Sequence, residues 1–280
     1  MREGTIRVGI GGWTYEPWRG VFYPADLPKA RELDYAVSHV TAIEINATYY
    51  GSQKPETFAR WAKAAPPGFV FAVKASRFCT NRKVLSEAAE SIARFCSQGI
   101  VELGDKLGPI LWQFAPTKKF DADEFAAFLK LIPAAQDGVP LRHALEVRHE
   151  SFRDPRFVAL AREAGAAIVF ADHAEYPGIA DVTADFVYAR LQQAREEEPA
   201  GYDGAELDRW TGVAKGWAKG EAPPGPPYVS DGSAPETPRD VYMFIINGAK
   251  LRAPAAAQAV IARLAQPGGE QSSLARVLSG

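Results

Sequence analysis

A single TIM-type (β/α)8 barrel, an α/β fold with parallel strands, is the fold class that the sequence predicts. Three observations lead to it. Eight short apolar runs recur along the chain. Helical patterns separate most of them, which argues for a parallel sheet. The length of 280 residues is near the size of one such barrel, about 250 residues.

The first run, Ile6 to Ile10, follows Met1 to Thr5 with no apolar leader, so no secretory signal is expected. The others are Val40 to Asn46, Phe69 to Ser76, Ile110 to Phe114, His143 to Arg148, Ala167 to Asp172, Phe186 to Leu191 and Val241 to Asn247. Ala167 to Phe170 is apolar on both faces, as a strand covered on both sides should be. Helices are expected over 29–38 and 55–65, the second with Pro55 in its first turn. Ser86 to Leu103 reads as the clearest helix, begun by Ser86 with Glu87 and Glu90 in its first turn. Asp121 to Leu131, a helix opened by Asp154-Pro155, Leu207 to Trp217 and Pro254 to Leu264 complete the series.

Two places read as irregular. His173 to Asp185, after the sixth run, lacks a helical pattern and holds the turn signal Tyr176-Pro177-Gly178. Residues 221–239 read as a long, mobile loop before the last strand, on the barrel end away from chemistry. One domain over 1–280 is expected, with the barrel at about 6–264 and a fraying tail at 267–280. An open doubly wound sheet is the rival. It would announce a dinucleotide site with GxGxxG, whereas Gly9, Gly11 and Gly12 run into Trp13-Thr14-Tyr15.

The apolar fraction of 47% and charged fraction of 24% are ordinary for a folded domain. A net charge of -2 gives no global field toward nucleic acid or an anionic membrane. No uncharged apolar stretch is long enough to span a bilayer. Cys79 and Cys96 lack CxxC spacing, which argues against a zinc or redox motif and fits a reduced, cytoplasmic chain.

Most runs end in a polar residue, and a parallel barrel would bring those ends to one mouth. In His143 to His149, Glu146 and Arg148 share one face of the strand, within reach of each other. Arg148 would keep Glu146 ionised as a base, nucleophile or ligand; a structural ion pair filling the barrel is the alternative. Lys74, ending an apolar strand, could be desolvated and act as acid, base or Schiff-base former, or clamp an anion; a snorkelling lysine is the alternative. Glu44 and Asn46 share a face ahead of Tyr49 and Tyr50, of which Tyr50 reads as packing on a neighbouring loop. Trp13 and Trp18 either stack on a sugar or base or simply pack. Glu146, Asp172 and His149 or His173 could compose a divalent-metal site, although no fixed ligand spacing supports it. Arg190 and Asn247 end the seventh and eighth runs, where phosphate-binding barrels often hold their anion.

Val8 to Tyr15, Glu44 to Tyr50, Phe71 to Ser76, Gly108 to Phe114 and Glu146 to Phe152 together resemble the YecE-like proteins, the domain of unknown function 72 family. The resemblance runs over about 6–264 and implies a TIM-type barrel, with no reaction attached. Its motif positions fall on Glu44, Asn46, Tyr49, Lys74, Gln113, Glu146, Arg148, Asp172, Arg190 and Asn247. The family pattern has histidine where this chain has Asn81 and Gln192. That lowers any metal or histidine acid–base reading.

The expected function is enzymatic: a hydrolase, lyase or isomerase without a redox cofactor, acting on a small polar, anionic, phosphorylated or sugar-like substrate. Glu146 is the expected base or nucleophile, Lys74 the acid or electrophile, and Asp172 or Glu44 the second carboxylate. Trp13, Asn46, Tyr49, Gln113, Arg148, His149, Arg190 and Asn247 would bind the substrate. The alternatives are a nucleic-acid-binding or metal-dependent nuclease-like barrel, which needs a basic rim and a metal cluster, and a non-catalytic ligand-binding barrel.

Overall fold

The computed structural model describes residues 4–230 and 235–266. Eight parallel strands close into a barrel. They are β1 (Ile6–Gly11), β2 (Ala42–Ile45), β3 (Val70–Lys74), β4 (Leu107–Gln113), β5 (His143–Glu146), β6 (Ala167–Asp172), β7 (Phe186–Leu191) and β8 (Asp240–Ile245). β8 pairs with β1 from Ile6↔Val241 to Ile10↔Ile245, which seals the ring. All eight expected strands are present.

The period of two along each strand divides the buried side chains into two sets. Ala42, Val70, Ala72, Leu111, Ala144, Ala167, Val169, Phe186, Tyr188, Tyr242 and Phe244 form a cluster inside the ring. β2, β3, β5 and β6 supply small alanines, and β7 and β8 supply the rings that fill the space opposite. β1 contributes glycines here. A Cβ on Gly9 would lie 2.0 Å from the carbonyl oxygen of Ala42, so β1 can approach β2 this closely only without a side chain. The alternate residues, such as Val8, Ile43, Trp112, Leu145 and Phe170, face outward under the helices.

Helices Glu32–Val37, Pro55–Ala64, Ala89–Cys96, Ala122–Leu129, Pro155–Glu163, Gly204–Lys219 and Ala253–Ala265 cover the ring. The starts at Asp121, Asp154 and Asp203 are capped by their carboxylates, and Asp203 and Glu206 form a reciprocal capping box. One expectation fails. Ser86 to Leu103 is not one helix: a 3-10 turn, Leu85–Ala88, leads into Ala89–Cys96, and a second irregular 3-10 segment starts at Ile100. Ser86 lies inside the first turn and caps nothing. The break falls at Gly99, with φ 105°, where a Cβ would meet Pro55 at 2.6 Å. The chain must bend there to clear the start of the neighbouring helix.

The stretch after β6 contains no helix, as expected. It runs back down the outside of the barrel as a buried strap through Ile179, Ala180, Val182 and Thr183. Thr183 Oγ1 donates to Ala166 O at 2.6 Å, at the foot of β6. Residues 221–230 lie over this strap: the Ala180 amide donates to Pro227 O, and Asp181 accepts the Val229 and Ser230 amides. The described part of the long loop is thus anchored to the barrel wall. The 231–234 part of that loop, the Met1-Arg2-Glu3 start and the tail at 267–280 lie outside the described residues. A two-strand hairpin, Ala135–Gln136 with Val139–Pro140, precedes β5. Sequence reasoning passed over its Asp137-Gly138 turn signal, although both residues have positive φ.

Among the described residues, no helix is long and apolar enough to cross a membrane.

Candidate functional site

Inward-facing parity at the top of the ring selects Glu44, Lys74, Gln113, Glu146 and Arg190. Each sits two residues beyond an inward apolar residue of its strand: Ala42, Ala72, Leu111, Ala144 and Tyr188. Arg190 is 2% exposed and spans the lumen. Its Nε and Nη2 donate to Glu44 Oε2 and Oε1, both at 3.1 Å, and its Nη1 donates to Glu146 Oε2 at 2.6 Å. Tyr188, one layer below, donates its hydroxyl to Glu44 Oε2 at 2.7 Å. Burial, then the Glu44 charge, raises the Tyr188 phenol well above its usual range.

Glu146 is fully enclosed. Arg148 Nε and Nη2 donate to its Oε1 at 3.1 and 2.9 Å; Gln113 Nε2 and Arg190 Nη1 donate to its Oε2, both at 2.6 Å. A carboxylate offers about four lone-pair sites, and four donors occupy them. Burial alone would raise this carboxyl, but Arg190 and Arg148 outweigh it and hold it at about 2.

Lys74 is in a different position. Its side chain is 8% exposed, and the Nζ lies 4.2 Å from the centre of the Tyr49 ring. Among the described residues no carboxylate lies within ion-pair distance of it. Burial, then the Arg190 charge, brings its ammonium down to about 8, against the opposing pull of Glu44 and Glu146.

Above this layer opens a cleft of about 480 Å³. Lys74, Arg148, Arg190 and Lys250 line it, with Trp13, Asn46, Tyr50, Gln113 and Asn247 among the neutral residues. Among the described residues no Asp, Glu or His lines it. Trp13 is half-buried, edge-on to Trp61 at 5.2 Å. Trp18 is fully buried and donates its Nε1 to Lys250 O at 2.9 Å, so it packs. The Lys250 ammonium sits 4.4 Å over the Tyr15 ring, and burial lowers it. Asn46 donates to Glu44 O at 3.3 Å.

Several expected members stand apart. Asp172 shares the outward parity of Phe170, and its carboxylate accepts from Gln193 Nε2 at 2.7 Å outside the ring. Burial raises it. The end of a run brings a residue to the mouth, but a shift of one residue reverses the face it points from. His149 caps a short turn through Ser151, and His173 stacks on Tyr176 at 3.9 Å. The proposed metal cluster of Glu146, Asp172 and a histidine is therefore not gathered, and no group of three or more His, Cys, Asp or Glu side chains is gathered among the described residues. Asn247, in the left-handed region with φ 65°, donates to Gln192 Oε1 at 3.0 Å. Asn81 donates to the Tyr49 hydroxyl at 3.0 Å. Asn81 and Gln192, where the resemblance leads one to expect histidine, are thus each hydrogen-bonded to a neighbouring side chain, Tyr49 and Asn247. Tyr50 does not pack on a loop; it is 69% exposed at the cleft edge.

Sequence reasoning missed Tyr188 and Lys250. Tyr188 was accessible, because it shares the parity of Arg190. Lys250 is one lysine in a loop, with no pattern to mark it.

A model of the family described as "Protein of unknown function DUF72" matches residues 7–277. UPF0759 protein YunF of Bacillus subtilis (strain 168) is 28% identical over 158 residues, which are 54% of each chain. The match therefore spans about half the length of that curated relative. A crystal structure of a DUF72 family protein from Thermotoga maritima MSB8 superposes with a TM-score of 0.70 at 22% identity, covering 94% of this chain and 100% of the other. One from Enterococcus faecalis V583 gives 0.70 at 19% identity, covering 95% and 100%. At these identities the two structures support the fold alone.

Proposed function

The chain belongs to the DUF72 family, and from that premise we propose an enzyme that binds a small, polar, anionic molecule in the mouth of the barrel and uses Lys74 as its acid–base group. One observation carries the reading: four cations and no acid line the cleft among the described residues. The two carboxylates of the mouth lie beneath it and are engaged by Arg190. Four cations against two carboxylates leave two positive charges over when both lysines are protonated. That surplus, in a partly desolvated cleft, favours an anion such as a phosphate or carboxylate group.

The division of roles follows from occupancy. Glu146 has no free lone pair and is held at about 2, so it serves as counter-charge and not as base. Glu44 likewise orients Arg190. Lys74, brought down to about 8, can give and take a proton near neutral pH. Gln113 and Asn46 orient polar groups of the ligand, and Trp13 offers a wall for its apolar face.

Calorimetry with inorganic phosphate and a simple phosphate monoester tests the reading. Saturable binding that weakens with added salt is expected. Absence of saturable binding to these anions and to small carboxylates would overturn it. Binding without turnover of any phosphorylated or carboxylated compound would favour a non-catalytic barrel.

A further inference from the structure

A lysine amine becomes reactive when its ammonium is stripped of water and set among other cations. Lys74 has both features. It is 8% exposed, with its tip on the cleft. The groups around it are the Tyr49 ring, the guanidinium groups of Arg190 and Arg148, and the carboxylates of Glu44 and Glu146. Both carboxylates are already engaged by arginine. Its backbone is fixed: its carbonyl accepts from Thr48 Oγ1 at 2.7 Å, and the next amide donates to Leu111 O at 2.8 Å. Desolvation and a neighbouring cation are the two conditions that make a lysine amine nucleophilic.

We propose that Lys74 is a catalytic nucleophile that forms an imine with a carbonyl compound carrying an anionic group, the anion being held by the other cations that line the cleft. The proposal rests on the anion-binding reading above and names the substrate class for the same cleft. The step balances without a further reactant. The ammonium and the C=O group condense; the carbon–nitrogen double bond forms and the carbon–oxygen bond breaks. The oxygen leaves as water with two of the three ammonium protons, and the single positive charge passes to the protonated imine. That imine draws electrons from the adjacent carbon, so a bond there to hydrogen, carboxylate or carbon can break. The class is an isomerisation, aldol-type cleavage or decarboxylation next to a carbonyl. The lowered proton affinity of Lys74 supports the step, because free amine is then present near neutral pH.

Pyridoxal 5′-phosphate is a suitable probe, since it carries an aldehyde and a phosphate. The protein is incubated with it, reduced with borohydride and mapped by peptide mass spectrometry. One addition, at Lys74, is expected. Excess inorganic phosphate should protect against it, and pyridoxal without phosphate should label about tenfold less, the worth of roughly one charged contact. Lys74→Arg keeps the cation and should abolish the addition. Addition scattered over exposed lysines, or centred on Lys250 with Lys74 untouched, overturns the proposal. Should the variant fail to fold, phosphate protection of Lys74 in the unaltered protein decides the matter. Phosphate calorimetry on the same preparation separates the two readings. Binding with Lys74 unlabelled removes the imine and leaves the anion site. Labelling at Lys74 without phosphate binding or preference keeps the imine and removes the anion site.

Discussion

The buried trio of Glu44, Glu146 and Arg190 and the cleft lysines Lys74 and Lys250 come from the same end of the same barrel, yet they handle charge in opposite ways. In the trio each carboxylate meets a guanidinium at 2.6–3.1 Å, and exposure is 2% or less. At the cleft two ammonium groups face aromatic rings and find no carboxylate partner among the described residues. In the first arrangement every carboxylate already has its cation; in the second the ammonium groups have no carboxylate of their own among the described residues. Residue type alone does not separate structural from reactive charge here. What separates them is how many partners each group already has.

The sharpest way to break this contrast is to remove Arg190. Arg190→Met leaves Glu44 and Glu146 buried without their shared cation. A loss of about 3–5 kcal/mol of stability is expected in denaturant unfolding. A near-neutral result would mean that the trio is not the structural half of the pair.

Glu146→Gln should cost less, about 1–3 kcal/mol, because shape is kept while an amide N–H must now face arginine or Gln113 donors. Phosphate binding should survive. Abolished turnover in a well-folded Glu146→Gln protein would move Glu146 to the reactive side. The same residue gives an acid signature. Its carboxyl is held at about 2 in the fold against 4.5 as a free side chain. Its contribution is therefore present above about 4.5 and is lost as pH falls from there toward 2. Acid titration of the melting temperature should show a shallower slope for the variant.

The lysine side has the same slope in an alkaline window, although here it is the charged form that the fold disfavours. Lys74 titrates at about 8 in the fold and 10.5 as a free side chain. Between those values the unfolded chain holds more protons, so stability rises with pH, while phosphate affinity falls as the cleft loses charge. Lys74→Met should remove both trends.

Lys250→Met should weaken phosphate binding about tenfold, worth about 1.4 kcal/mol, with little change in melting. Asp172→Asn should change it less than about twofold, as for a substitution away from the site. A larger loss for Asp172→Asn would mean that the outward strand face also contributes.

The eight strands could be read from apolar runs alone, because strands covered on both faces need apolar residues at almost every position. The helices capped by Asp121 and Asp154 could be read for an equally local reason. The break at Gly99 could not, since it answers to Pro55 on a neighbouring element. Within the site, the alternation of Glu146 and Arg148 was legible, and so was the place of Lys74. The saturation of Glu146 was not, because its donors come from β4 and β7 as well as from its own strand. Asp172 was misread because the end of a run fixes height in the barrel, whereas parity fixes direction.

The strap after β6 has a consequence for how this barrel opens. Seven sectors of the wall carry helices, whose hydrogen bonds close within each segment. The eighth is held by side-chain and loop contacts, chiefly Thr183 on Ala166 and Asp181 on Val229 and Ser230. Few of its bonds are its own, so this sector should lie at the low end of the local opening free energies and exchange its amide hydrogens first. It also carries Tyr176, whose ring lies 4.6 Å from the Arg148 guanidinium. A breathing motion that begins in the wall would thus arrive at the mouth through that one stacked pair.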